Sequence, residues 1–149
     1  MSFIYKLILV LFCYLGFLTN SISIENKILI KVNNEIITSI DVLNEIKYLN
    51  LLNKNLKNFD ENKIYEIAKN SIIKNMVKEN ELKKYFTKLD VDEKYLNDVT
   101  IKYFDKLNLN SIDELKDLLK KNNLMFEEIQ NKITIQILWN NLIFQKFSK

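Results

Sequence analysis

Histidine, proline and arginine are missing from this chain of 149 residues, and glycine and cysteine occur once each, as Gly16 and Cys13. Each absence closes off some chemistry. With no histidine and a single thiol, zinc and copper sites, Cys–His dyads and Ser-His-Asp triads are excluded. A lone cysteine cannot form an internal disulfide. Without guanidinium groups, no carboxylate or phosphate can be gripped bidentately. Any chemistry must run on carboxylates, lysines, tyrosines or hydroxyls, and no metal or other cofactor is expected. The near absence of glycine and proline leaves the breaks between elements to Asn and Asp, the next most tolerant residues for left-handed and turn conformations. A chain with so few breakers and long 3.6-period segments is expected to be mostly helical.

What is present begins with Lys6 and an unbroken apolar run from Leu7 to Leu18, followed by Thr19, Asn20, Ser21, Ile22 and Ser23. A positive residue, a short apolar core and small residues after it are the three parts of an export signal. The run is short for a bilayer span, which needs about 20 apolar residues. Ser21 and Ser23 suit the −3 and −1 positions of a cleavage site, so residues 1–23 read as a signal peptide and residues 24–149 as one exported domain. The competing reading is an uncleaved membrane anchor, because no charge interrupts Leu7 to Ile24. Val10-Leu11-Phe12 ahead of Cys13 lacks the small residues of a lipid-attachment site. Loss of Lys6 with the leader lowers the formal net charge of +3 by one. The remaining charges are mixed along the chain, and no basic patch argues for nucleic acid.

The fold class expected is mainly α, with a short N-terminal β-hairpin followed by about five helices. Ile28 to Val32 and Glu35 to Thr38 are β-branched runs around Asn33-Asn34, a pair suited to a tight hairpin loop, with Ile28, Ile30 and Val32 on one face. Thr38 or Ser39 caps a helix to about Leu56, its apolar stripe made by Leu43, Ile46, Leu49 and Leu52. Asp60 opens a longer helix through Ile64, Ile67, Ala68, Ile72, Met76 and Val77 to Leu82, Tyr85 and Phe86. Asp90 or Asp92 caps a third, carrying Leu96, Val99, Tyr103 and Leu107. Ser111 and Glu114 form a capping box for a fourth, which ends at Lys120-Lys121. The last helix runs from about Met125 to Phe147. Ile129, Ile133, Ile137 and Phe144 line one side, while Ile135, Leu138, Trp139, Leu142 and Ile143 carry apolar surface beyond one stripe. Such a helix expects neighbours on more than one side, and the sequence reading assigns some of them to a partner outside the chain.

Short motifs add little. Ser71-Ile-Ile-Lys74 has the S-x-x-K spacing of penicillin-recognising acyl transferases, but the partner K-T-G and S-D-N motifs are absent. Asp90-Val-Asp92-Glu93 lacks the glycine and closing glutamate of a calcium loop, and helix capping explains its acids. Glu127-Glu128 offsets a helix dipole. No carboxylate pair sits in an apolar setting that marks a general acid.

The order of elements carries more. The stretches Val32 to Leu43, Ile72 to Leu89, Asp92 to Val99 and Ser111 to Phe126, with Leu109-Asn-Ser-Ile-Asp-Glu-Leu115 and Phe126-Glu-Glu-Ile129, resemble the N-terminal domain of the SurA family. These are periplasmic chaperones and parvulin-type peptidyl-prolyl isomerases. The resemblance spans essentially residues 24–149. The chain departs from the family pattern at Ile40, where Ser or Thr usually precedes the helix-starting Asp, so the cap shifts to Ser39 or Thr38. It also stops where a first isomerase domain would begin, and it has no histidine for a parvulin pocket, so no enzymatic activity is carried over. What the resemblance implies is a periplasmic, ATP-independent chaperone that holds unfolded outer-membrane proteins, or a partner subunit, on apolar surface. Met76, Met125, Ile135, Leu138, Trp139, Leu142, Ile143, Phe144 and Phe147 are the expected contacts. Two alternatives stand beside it: the front part of a complete peptidyl-prolyl isomerase, and a membrane-anchored scaffold whose last helix pairs with a partner or with itself.

Overall fold

The computed structural model describes residues 26–32 and 35–148. The expected signal peptide and cleavage site, and the Asn33-Asn34 pair expected to turn the hairpin, lie outside the described residues. A two-stranded antiparallel hairpin, β1 (Ile28–Val32) and β2 (Glu35–Thr38), precedes five α-helices. These are α1 (Ser39–Leu52), α2 (Glu61–Leu82), α3 (Glu93–Tyr103), α4 (Ile112–Lys121) and α5 (Phe126–Phe147). The mainly α architecture expected from the missing breakers is therefore present.

Local chemistry sets the element ends. Thr38 caps α1: its hydroxyl accepts from the Asp41 N–H, and the Asp41 carboxylate accepts from the Thr38 N–H at 2.7 Å. With Ile40 unable to cap, the hydroxyl is supplied by Thr38 two residues earlier, and Asp41 closes the reciprocal box. Asp60, Asp92 and Ser111 cap α2, α3 and α4 in turn. The box expected at Ser111 is altered. Ser111 accepts from the Glu114 N–H, but Glu114 reaches back to the N–H of Asn110, one residue before the cap. Asn108 and Asn123 adopt positive φ of 52° and 53°, doing at two chain reversals what glycine does elsewhere.

Several expectations are corrected. The helix expected to include Tyr85 and Phe86 ends at Leu82, and the one expected to carry Leu107 ends at Tyr103, with Leu107 in a separate 3-10 turn. The helix expected to reach Leu56 ends at Leu52 and passes into a 3-10 turn over Lys54–Asn58, where the Asn53 side chain accepts from the Asn55 N–H. The most buried row of α1 is Val42, Glu45 and Tyr48, one position away from the expected Leu43–Leu52 stripe, whose members are half-buried. In β1, Ile28 pairs with Thr38 and Ile30 with Ile37, so two residues of β1 face one step of β2. This bulge puts Ile28 out of phase with Ile30, and Ile28 is 67% exposed.

Apolar packing falls into three neighbouring clusters. Ile37, Val42 and Ala68 join the hairpin to α1 and α2. Tyr48, Phe104, Leu115, Leu119, Leu124, Ile129, Ile133 and Ile137 form the largest. Leu82, Ile135, Leu138 and Leu142 form the third, with Phe86, Leu89, Val91 and Trp139 against them. α5 belongs to two of these at once, which explains its excess of apolar residues. α2, α3 and α4 of the same chain supply neighbours that the sequence pattern leads one to expect from a partner.

Candidate functional site

The residues expected to form one contact surface are distributed over four places. Ile135, Leu138 and Leu142 are buried on the α2 side of α5 and offer no surface. Their i, i+3 and i+7 spacing puts them on one face, and Leu82 closes over it. Trp139 is half-buried at the edge of that cluster. Met76 is half-buried in a groove beside the hairpin. Met125 is exposed at the start of α5, about 30 Å along the helix from its other end.

The far end of α5 is different. Phe144 and Phe147 are 71% and 73% exposed, and Ile143 is also on the surface. Spacings of three and four residues place them side by side. Lys146 borders the strip: its Nζ lies 3.9 Å from the Tyr85 ring centroid and donates to the Tyr85 hydroxyl at 2.6 Å. The strip is thus an apolar surface bordered by a cation and a phenol.

The groove beside the hairpin has a volume of about 510 Å³. Ile36, Ile37, Ile72, Met76, Leu124 and Ile129 supply its apolar lining, and Glu35, Asp41 and Glu128 lie along it. Ile36 is 50% exposed, so β2 presents apolar side chain to the groove and to solvent.

Between this groove and a second recess stands a polar cluster that periodicity alone had not marked. Glu45 is buried, and both carboxylate oxygens are used. Oε1 accepts from the Ser71 hydroxyl at 2.7 Å, and Oε2 accepts from Lys132 Nζ. Lys132 also lies 5.1 Å from the Tyr48 ring centroid. Burial, with smaller contributions from Tyr103 and Glu45, pushes the Tyr48 phenol well above its usual range. The signal for Glu45 in the sequence was its place three residues from both Val42 and Tyr48, on what proves to be the inner row. The Ser71 hydroxyl of the S-x-x-K pattern donates to Glu45. The Asp92 side chain caps α3, as the capping reading expected.

Among the described residues, no cluster of acids suits a metal ion, and no helix is long and apolar enough to cross a membrane. No family model, curated protein or solved structure matches the chain.

Proposed function

We propose that this protein is an exported, ATP-independent holding chaperone of the SurA N-terminal type, which binds unfolded outer-membrane proteins in the periplasm without catalysing a reaction. The reading rests on the export-signal pattern of residues 1–23, on the resemblance of residues 24–149, and on one structural observation. That observation is the exposure of Phe144 and Phe147 at the end of a helix whose other large apolar residues are mostly enclosed. Exposed aromatic surface bordered by a cation suits association with apolar chain segments. Holding needs no nucleotide: a surface that captures the unfolded form lowers its free concentration, and aggregation slows by mass action. The apolar groove holding Met76 gives an extended segment a second place to lie.

The test is light scattering of a urea-unfolded outer-membrane barrel diluted into buffer with the purified chain. Slower aggregation at several-fold molar excess is expected, and an unchanged time course rejects the reading.

A further inference from the structure

On the other side of the Glu45–Lys132 pair lies a recess of about 180 Å³ between α1, α2 and α5, with Tyr103 also in its lining. Its charged lining is Glu45 from α1, Lys74 and Lys78 from α2, and Lys132 from α5. Glu45 offsets Lys132. Lys74 and Lys78 have no carboxylate partner among the described residues. They stand one helical turn apart, a spacing at which like charges repel. Lys78 donates to Gln136 Oε1 at 2.6 Å, and the Gln136 amide donates on to Asn140. An ammonium carries three donors, so Lys78 keeps two for another acceptor and Lys74 keeps all of its own.

We propose that this recess is a binding site for a small oxyanion, a single phosphate or carboxylate group, held between Lys74 and Lys78 with Asn75 beside it. Three observations converge on it. The cavity has room for one such group and is too small for a nucleotide. Its two unpaired cations sit on one face of α2. Burial, and then the neighbouring Lys74, depress the Lys78 ammonium below the ordinary lysine range, as expected of a charge lacking its counter-ion. An anion between the two lysines relieves their repulsion and accepts their free N–H groups. Because both cations are ammonium groups, recognition is by point charge and tolerates either oxyanion geometry. The site is separate from the exposed end of α5 and stands or falls independently of it.

Lysine side-chain NMR of the full chain, titrated at constant ionic strength with inorganic phosphate and separately with succinate, tests the site. Saturable shifts at Lys74 and Lys78 are expected with at least one of the two, with exposed Lys94 unmoved, and the pH midpoint of Lys78 should rise on saturation. Which anion saturates identifies the source of the oxyanion. Lys78→Met and Lys74→Met should each weaken binding about tenfold or more, whereas Lys94→Met should not. Unchanged melting temperatures in the variants show that the recess persists. Failure of both anions to saturate, or wild-type affinity in a folded Lys78→Met chain, overturns the proposal.

Discussion

At Glu45 a carboxylate is enclosed by Tyr48, Ser71 and Lys132, with only 3% of the residue in contact with solvent. Removing one partner of such a pair leaves the other buried without compensation, at a cost of about 3–5 kcal/mol. Lys132 keeps a quarter of its side chain exposed, so Lys132→Met should cost about 3 kcal/mol, at the lower end of that range. The double variant Glu45→Met with Lys132→Met should recover most of the loss, because well-packed apolar groups replace a buried ion pair with little net change. Urea unfolding of both variants checks this, and a double variant no more stable than Lys132→Met alone would contradict it. Thr100 makes the opposite case. Its hydroxyl is fully buried on α3 and has no hydrogen-bond partner among the described residues. An unsatisfied buried hydroxyl costs about 1–3 kcal/mol, so Thr100→Val should raise stability by about 1 kcal/mol. A fall in the urea midpoint would mean that the hydroxyl is bonded after all.

At the scale of elements, the caps carry the design of a chain nearly devoid of glycine and proline. Thr38 joins β2 directly to α1 with no loop between them, and Ser39 ties the junction to the start of β1 by accepting from the Lys27 N–H. Thr38→Ala removes the hydroxyl half of the box and should cost about 1 kcal/mol. A change within a few tenths in thermal melts would show that Asp41 alone holds the helix start. These ends were legible in the sequence because a cap is a local interaction between residues three apart. Faces were less legible. In α1, apolar residues occupy both Leu43–Ile46–Leu49 and Val42–Tyr48, and tertiary packing against α2 and α5 selects the second row, Glu45 included. The bulge at Ile28 was not legible, because strand pairing depends on two segments at once. The half-box at Ser111 shows the same limit, since Asn110 and Ser111 both offer an N–H to Glu114. The polar cluster joins residues 26 and 87 positions apart, a separation that no local pattern encodes.

For the whole molecule, α5 acts as the central post. Ile129, Ile133 and Ile137 face α1, α3 and α4, while Ile135, Leu138 and Leu142 face α2, so most of its apolar residues stabilise the fold. Full burial of such a side chain contributes about 1.5–3 kcal/mol, and its loss cannot be separated from unfolding. From sequence, Ile135, Leu138, Trp139 and Leu142 group with Ile143, Phe144 and Phe147 as contact surface, because excess apolar character looks the same for an inner helix and a sticky one. The structure divides enclosed from exposed residues along its length, and the proposed binding rests on the exposed Ile143, Phe144 and Phe147. The most direct measurement compares Phe144→Ser with Phe147→Ser, alone and together, for both melting temperature and suppression of outer-membrane barrel aggregation. Both rings are largely in solvent, so melting should shift little, within about 0.5 kcal/mol of stability, while the double variant should lose most of its holding activity. Full activity in a double variant that melts like the parent would contradict the surface.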